Sequence, residues 1–351
     1  MNQSISPGGT APEPVSVGKR VRTVLVSGLP WVIIAGLLYA GLFVKPHVVS
    51  KSVTPPPLER RDRLYGVTPA ADGKILLGGS NGKILLVDGD RKIQRQTTPT
   101  EASLQDIASF DAEHAVAVGN DNVILRTEDG GQKWAQVEGV PRSQVANKLN
   151  RVRAAGDGLA VATGEMGALF ITRDYGKSWA RLREEEDVAW NDVAILHGGV
   201  LVVVGESGRV LRSEDEGKTW KAIPEPVPSS LMAVSFRDDR NGVAVGLEGV
   251  LLTTDDAGRT WKQVNLSLSD HLFDVTWNSE TQQWFAVGAL GRWIAGTKDA
   301  KDASVQWKTG ILGERVLTWH TRVLARGTKY WLAGADVGVW DHRMQQWSPL
   351  K

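Results

Sequence analysis

Cysteine is absent from this 351-residue chain. That removes disulfides, zinc thiolate centres and thiol nucleophiles together, and it permits an oxidising compartment without requiring one. Only four tyrosines occur. A sialidase-type site needs a tyrosine nucleophile with a supporting acid and an arginine cluster. Here Tyr39 lies in a long apolar run, Tyr175 sits in a turn motif, and Tyr65 and Tyr330 fall in apolar strand contexts. The six histidines are scattered, with no His-x-x-x-His spacing, so no metal site is indicated. Charge of one sign is also lacking: 41 basic residues face 40 acidic ones without a dense basic cluster, which argues against nucleic acid as a partner. No helix start follows the glycine-rich turns, so they are not phosphate loops, and no cofactor is expected.

What the chain does contain is repetition. A hydroxyl residue, Asp, Gly, a further hydroxyl or Lys, and Trp recur four times: Thr127, Asp129, Gly131, Lys133, Trp134; Thr172, Asp174, Gly176, Ser178, Trp179; Ser213, Asp215, Gly217, Thr219, Trp220; and Thr254, Asp256, Gly258, Thr260, Trp261. The tryptophans lie 45, 41 and 41 residues apart. A period near 40 marks stacked units that cannot bury their apolar faces alone. A second marker, an apolar run ending in Gly and followed after a short turn by another apolar run, extends the series from Leu77–Gly79 to Leu332–Gly334 and gives seven units. Residues 58–351 number 294, which divides into seven units of 42.

Within a unit, short β-branched runs alternate with Gly, Asp and Asn turns, which predicts strands rather than helices. The fourth unit reads as strands over Asn191–Leu196, Gly199–Gly205, Arg209–Ser213 and Trp220–Ile223. Four such strands make one antiparallel blade, and seven blades closed in a ring make an all-β, seven-bladed propeller. The first strand of each blade lines the channel and the fourth lies at the rim. The aspartate motif is read as structural: Asp129, Asp174, Asp215 and Asp256 accept turn N–H groups, Gly permits the turn, and Trp134, Trp179, Trp220 and Trp261 pack between blades. Trp307 and Trp347 hold the packing place in the last two blades, which lack the full motif.

The run Leu211–Trp220 and its three cousins resemble Asp-box, or BNR, repeats. Over residues 60–350 the chain is similar to the photosystem II assembly and stability factor family. That resemblance implies a seven-bladed propeller acting as scaffold or assembly factor of a membrane protein complex. Cyanobacterial members are lipoproteins, and this chain has no cysteine to carry lipid, so a non-photosynthetic, membrane-anchored member is expected. The resemblance extends to bacterial propellers found alongside RND-type exporters, which makes a transporter accessory subunit the most concrete version. Because Asp-boxes also decorate glycosidases, a carbohydrate-active or carbohydrate-binding propeller is the alternative, with Asp106, Asp192 and Asp274 as its channel carboxylates.

Residues 23–44 carry no charge and are mostly apolar, and the 21 residues Val24–Val44 would span about 31 Å, close to the ~30 Å hydrocarbon core. A single transmembrane helix is expected there, with Pro30 in its first turns. Around it the sequence divides into a disordered cytoplasmic tail over 1–22, a proline-rich linker over 45–57 ending in Pro55–Pro57, and the propeller over 58–351. Lys19, Arg20 and Arg22 ahead of the span predict an inner-membrane, single-pass topology with the propeller in the periplasm.

The expected role is a non-enzymatic binding platform on the face formed by the blade connections and the turns between second and third strands. The candidate partner-binding residues there are Arg151, Glu165, Met166, Trp190, Glu206, Leu247, Glu248, Phe273, Leu290 and Trp319. Gly36 and Ala40, four apart, would let another transmembrane helix approach closely. The expected partner is an integral membrane protein complex.

Overall fold

The structure, a computed structural model, describes residues 17–43, 56–298 and 305–350. The chain divides into two compact units, Met1–Pro55 and Pro56–Lys351. The expected tail up to residue 16, and the linker residues from Val44 and Lys45 to Pro55, lie outside the described residues.

In the first unit a helix runs over Val17–Phe43. It starts six residues before the expected position, so residues 17–22 are helical rather than irregular, and Pro30 falls in the helix interior instead of its first turns. Val26–Phe43 has a mean hydropathy of 1.8 and is entirely unburied. Such a helix is long and apolar enough to cross a membrane.

The second unit is a seven-bladed propeller. Seven four-stranded antiparallel sheets follow one another along the chain, each with its strands in sequence order. The fourth blade has strands Trp190–Ile195, Leu201–Gly205, Val210–Ser213 and Lys221–Ile223, within two residues of the sequence reading at each start. Its second strand, Leu-Val-Val-Val-Gly, is buried throughout, as a strand with packed layers on both faces must be. Short second strands of the same kind recur at Ile75–Gly79, Ala115–Gly119 and Ala160–Gly164.

The core is not one mass but seven clusters, each made by two neighbouring blades. The last of these closes the ring: Leu64, Ile75, Leu77 and Leu85 of the first blade pack on Trp331, Ala333, Val337 and Leu350 of the seventh. Among the described residues no sheet combines strands from both ends of the propeller, so side-chain packing carries the closure.

Turns of three residues join second to third strands, and their middle residue is left-handed: Asn81, Asp121, Met166, Ser207, Glu248 and Leu290 have φ of 55°, 57°, 53°, 54°, 58° and 55°. The next residue is also left-handed, Asn122 (φ 59°) in the second blade and glycine in the other five. At Gly208 (φ 72°) a Cβ would stand 1.8 Å from the Val227 carbonyl oxygen, a contact no side chain can make.

Candidate functional site at the channel mouth

Each inner strand carries the same irregularity. Pairing with the second strand shifts at the second residue, so that Tyr65, Gln105, Asn150, Asn191, Met232, Phe273 and Thr321 are the extra residues of seven bulges. A bulge re-aims the unpaired side chain. Here all seven aim at one place, and together they line a cavity of about 520 Å³. Lys148, Glu165, Met166, Asp187, Glu206 and Arg322 are also in its wall.

One residue further along each strand lies a second layer: Gly66, Asp106, Arg151, Asp192, Ala233, Asp274 and Arg322. Its three aspartates lie on alternate blades. Each accepts the backbone N–H of the next blade's inner strand: Asp106 from Val152 at 3.1 Å, Asp192 from Val234 at 3.0 Å, and Asp274 from Val323 at 2.8 Å. Three arginines answer them. Arg151 reaches Asp274 at 3.1 Å and Asp192 at 3.2 Å. Arg153 contacts Asp192 at 2.8 Å, and Arg322 contacts Asp106 at 2.9 Å. Burial alone would raise the Asp192 carboxyl, but the guanidiniums of Arg151 and Arg153 outweigh it and hold the group below the ordinary carboxylate value. Arg151 and Arg322 of the layer, with Arg153 two residues further along its strand, match the three aspartates and leave the network neutral. It closes the channel beneath the cavity, with Arg151 fully buried at its centre. Gly66 fits the layer because a Cβ there would meet the Ile107 backbone nitrogen at 2.7 Å.

Several sequence expectations can now be placed. Glu165, Met166, Glu206 and Phe273 line the cavity. Trp319 stacks on Tyr65 with parallel rings 6.0 Å apart. Leu247, Glu248 and Leu290 sit on equivalent turns outside its wall, Leu290 being 52% exposed. Two candidates need correction: Arg151 and Trp190 are 0% and 1% exposed, so neither can meet a partner. Arg151 belongs to the charge layer, and Trp190 fills the core between the third and fourth blades. Gly36 and Ala40 are exposed on the helix of the other unit. The reading of Asp106, Asp192 and Asp274 as carboxylates open to a sugar does not fit, since all three are buried and engaged by arginines and backbone N–H groups.

Sequence reasoning passed over Tyr65, Gln105, Met232 and Thr321 as binding residues. The signal was present: Leu, Trp or His, then a variable residue, then Gly, Asp, Arg or Ala, then Val or Ile, recurs once per blade from Leu64–Val67 to His320–Val323. The variable position is the bulge.

The aspartate turns lie at the other end of the blades, between third and fourth strands. Asp215 is typical. Its carboxylate accepts the N–H and hydroxyl of Thr219 at 2.8 and 2.7 Å and the Ser213 hydroxyl at 2.8 Å. Ser213 accepts the Gly217 N–H at 2.8 Å, and the Trp220 indole donates to the Gly217 carbonyl at 2.9 Å. The bonds from Thr219, then Ser213, lower the Asp215 pKa to about 2. In this copy the Asp215, Ser213, Thr219 and Trp220 side chains all bond within the motif, which leaves them little to offer a ligand.

The family model described as photosynthesis system II assembly factor YCF48 matches residues 88–225 and 183–255, from the end of the first blade into the fifth. Among solved structures, YCF48 bound to D1 peptide is 19% identical with a TM-score of 0.64, over 80% of this chain and 95% of that one. YCF48 from Cyanidioschyzon merolae is 17% identical with a TM-score of 0.63, over 80% and 96%. The RRP9 WD40 repeats share the fold at 9% identity and a TM-score of 0.64, over 79% and 89%. The comparison with curated proteins gave no match. Over residues 88–255 the chain is therefore similar to the photosystem II assembly factor family, and it shares the propeller fold of the solved YCF48 structures.

Proposed function

We propose that this chain is a membrane-anchored scaffold or assembly factor whose channel-mouth cavity receives a segment of a membrane protein partner. One observation carries this reading: seven bulges open a single cavity on a floor closed by a neutral charge layer, a receptor rather than a passage. The reading is supported by a propeller of similar fold, YCF48, whose solved structure is bound to D1 peptide. In the finer form of the proposal, residues 23–44 span the inner membrane, residues 45–57 hold the propeller near it in the periplasm, and the partner is a complex such as an RND-type transporter. No catalytic role is included.

The test is recovery of the partner from membranes solubilised in mild detergent, followed by mass spectrometry. The full chain is expected to retain an integral membrane protein, and Phe273→Ala with Met232→Ala is expected to lose it while the propeller stays folded. Equal recovery by that variant would overturn the placement of the site, and recovery of soluble proteins alone would overturn the role.

A further inference from the structure

The hydrogen-bonding polarity of the cavity tells which kind of segment it takes, and this rests on the functional reading above. Most of its polar lining groups have their donors engaged and their acceptors free, the Lys148 ammonium and the Tyr65 hydroxyl being the exceptions among the described residues. Asn191 donates to the Leu231 carbonyl at 2.9 Å and to the Met232 sulfur at 3.6 Å. Because a carbonyl can only accept, the amide nitrogen must face Leu231, which leaves the Asn191 carbonyl oxygen as its free group. Gln105 likewise donates to Asn120 at 3.0 Å. Arg322 is committed to Asp106 and to the carbonyls of Thr321, Gln105 and Asn150.

The rim carries the same bias in charge. Glu165 and Asp187 make no hydrogen bond or ion pair through their side chains among the described residues, and Glu206 accepts only the Ala189 N–H, at 2.9 Å. Against these three carboxylates stands Lys148, the one lining cation without a partner among the described residues. Elsewhere on this face Arg209 is paired with Glu186 and Arg292 with Asp270, while Arg142 and Arg315 on the blade connections make no ion pair among the described residues. Apolar and aromatic side chains, Tyr65, Met166, Met232 and Phe273, complete the lining. A site of free acceptors and excess negative charge beside aromatic rings is complementary to a donor-rich cation on an apolar stem.

We infer that the cavity is selective for a basic protein segment, seating a Lys or Arg side chain with its stem on Phe273 and Met232 and its head among Glu165, Asp187 and Glu206. A carboxylate-bearing segment is disfavoured, because it would meet like charges and few free donors.

The probes are three acetylated, amidated pentapeptides, Gly-Leu-X-Leu-Gly, with X as arginine, norleucine or glutamate, titrated calorimetrically into the detergent-solubilised full chain at low salt. The arginine peptide is expected to bind at least tenfold tighter than the norleucine peptide, with glutamate weakest. The triple variant Glu165→Gln, Asp187→Asn, Glu206→Gln, which keeps the acceptor toward Ala189, should abolish the arginine advantage. The inference is overturned by the glutamate peptide binding tightest, by an unchanged advantage in the triple variant, or by no binding of the arginine peptide at 1 mM. Should the triple variant still recover the membrane partner while the Phe273 and Met232 variant does not, the basic specificity fails and the docking role stands. Failure of the wild-type chain to recover any membrane partner would instead overturn the role.

Discussion

The two ends of the same blades are built on different rules. At the aspartate-turn end, four blades repeat one constellation, and its hydrogen bonds recur almost unchanged: Thr172 to Asp174 at 2.7 Å, Ser213 to Asp215 at 2.8 Å and Thr254 to Asp256 at 2.8 Å. At the mouth end the backbone repeats just as faithfully, with one bulge per blade, but the side chains on the bulges do not. Tyr, Gln, Asn, Asn, Met, Phe and Thr occupy equivalent places. Repetition of side chains serves the ring, which needs the same solution seven times. Repetition of backbone with divergent side chains builds a surface that is specific in shape and chemistry. Between the two ends lies the charge layer, where alternation of Asp across blades 2, 4 and 6 does both tasks: it stitches blade 2 to 3, 4 to 5 and 6 to 7, and it floors the cavity.

This contrast can be broken most forcefully in the layer. Asp192→Ala leaves Arg151 and Arg153 short of a partner and strands the Val234 N–H, all within a buried site. Removing one member of a buried charge network costs about 3–5 kcal/mol, so the denaturation midpoint of the propeller should fall steeply. A loss below about 1 kcal/mol would mean that the layer is not an interlocked unit.

A smaller effect is expected at the turns. Asp174→Ala removes the acceptor for the Ser178 N–H and hydroxyl and for the Thr172 hydroxyl, at an exposed turn where water can replace part of what is lost. About 1 kcal/mol of stability should go, with partner recovery by the folded protein unchanged. Lost recovery at full stability would transfer the functional surface to this end.

The smallest effect is in the acid limb. The Asp215 pKa, about 2 in the fold, lies below the usual ~3.9 of an unfolded chain. A depressed carboxyl stabilises fully above the unfolded value, and that contribution is lost as pH falls from about 4 through 2. Carboxyl carbon NMR should therefore find Asp215 still ionised at pH 3, and Asp215→Asn should flatten the fall in stability between pH 4 and 2. An Asp215 titration midpoint near 4 would show that the turn does not hold its carboxylate.

Much of this was legible in the sequence for physical reasons. Turn chemistry is local, so Asp, Gly and Trp at fixed spacing announced the repeats, and the apolar runs between glycines located buried second strands within three residues. The site was legible only in part. Glu165, Met166 and Glu206 sit on turns, which pattern alone identifies, whereas Arg151 reads as exposed until its partners on blades 4 and 6 are brought to it across 41 and 123 residues of sequence. Trp190 was misplaced for a similar reason, since the neighbouring blade that covers it is invisible along the chain. Tyr65 looked like a core residue because its bulge, which turns it from the sheet to the mouth, leaves no mark on local hydropathy. The helix likewise begins at Val17 because backbone helicity does not stop where charge starts.

The central claim is that the mouth, and not the aspartate-turn end, meets the partner. Site-specific photocrosslinking in intact membranes compares the two directly, with a benzophenone side chain placed at Met232 in the cavity wall or at Lys218 in an aspartate turn. The expected result is a crosslinked membrane protein from Met232 and none from Lys218. The same adduct from Lys218, with none from Met232, would contradict the account.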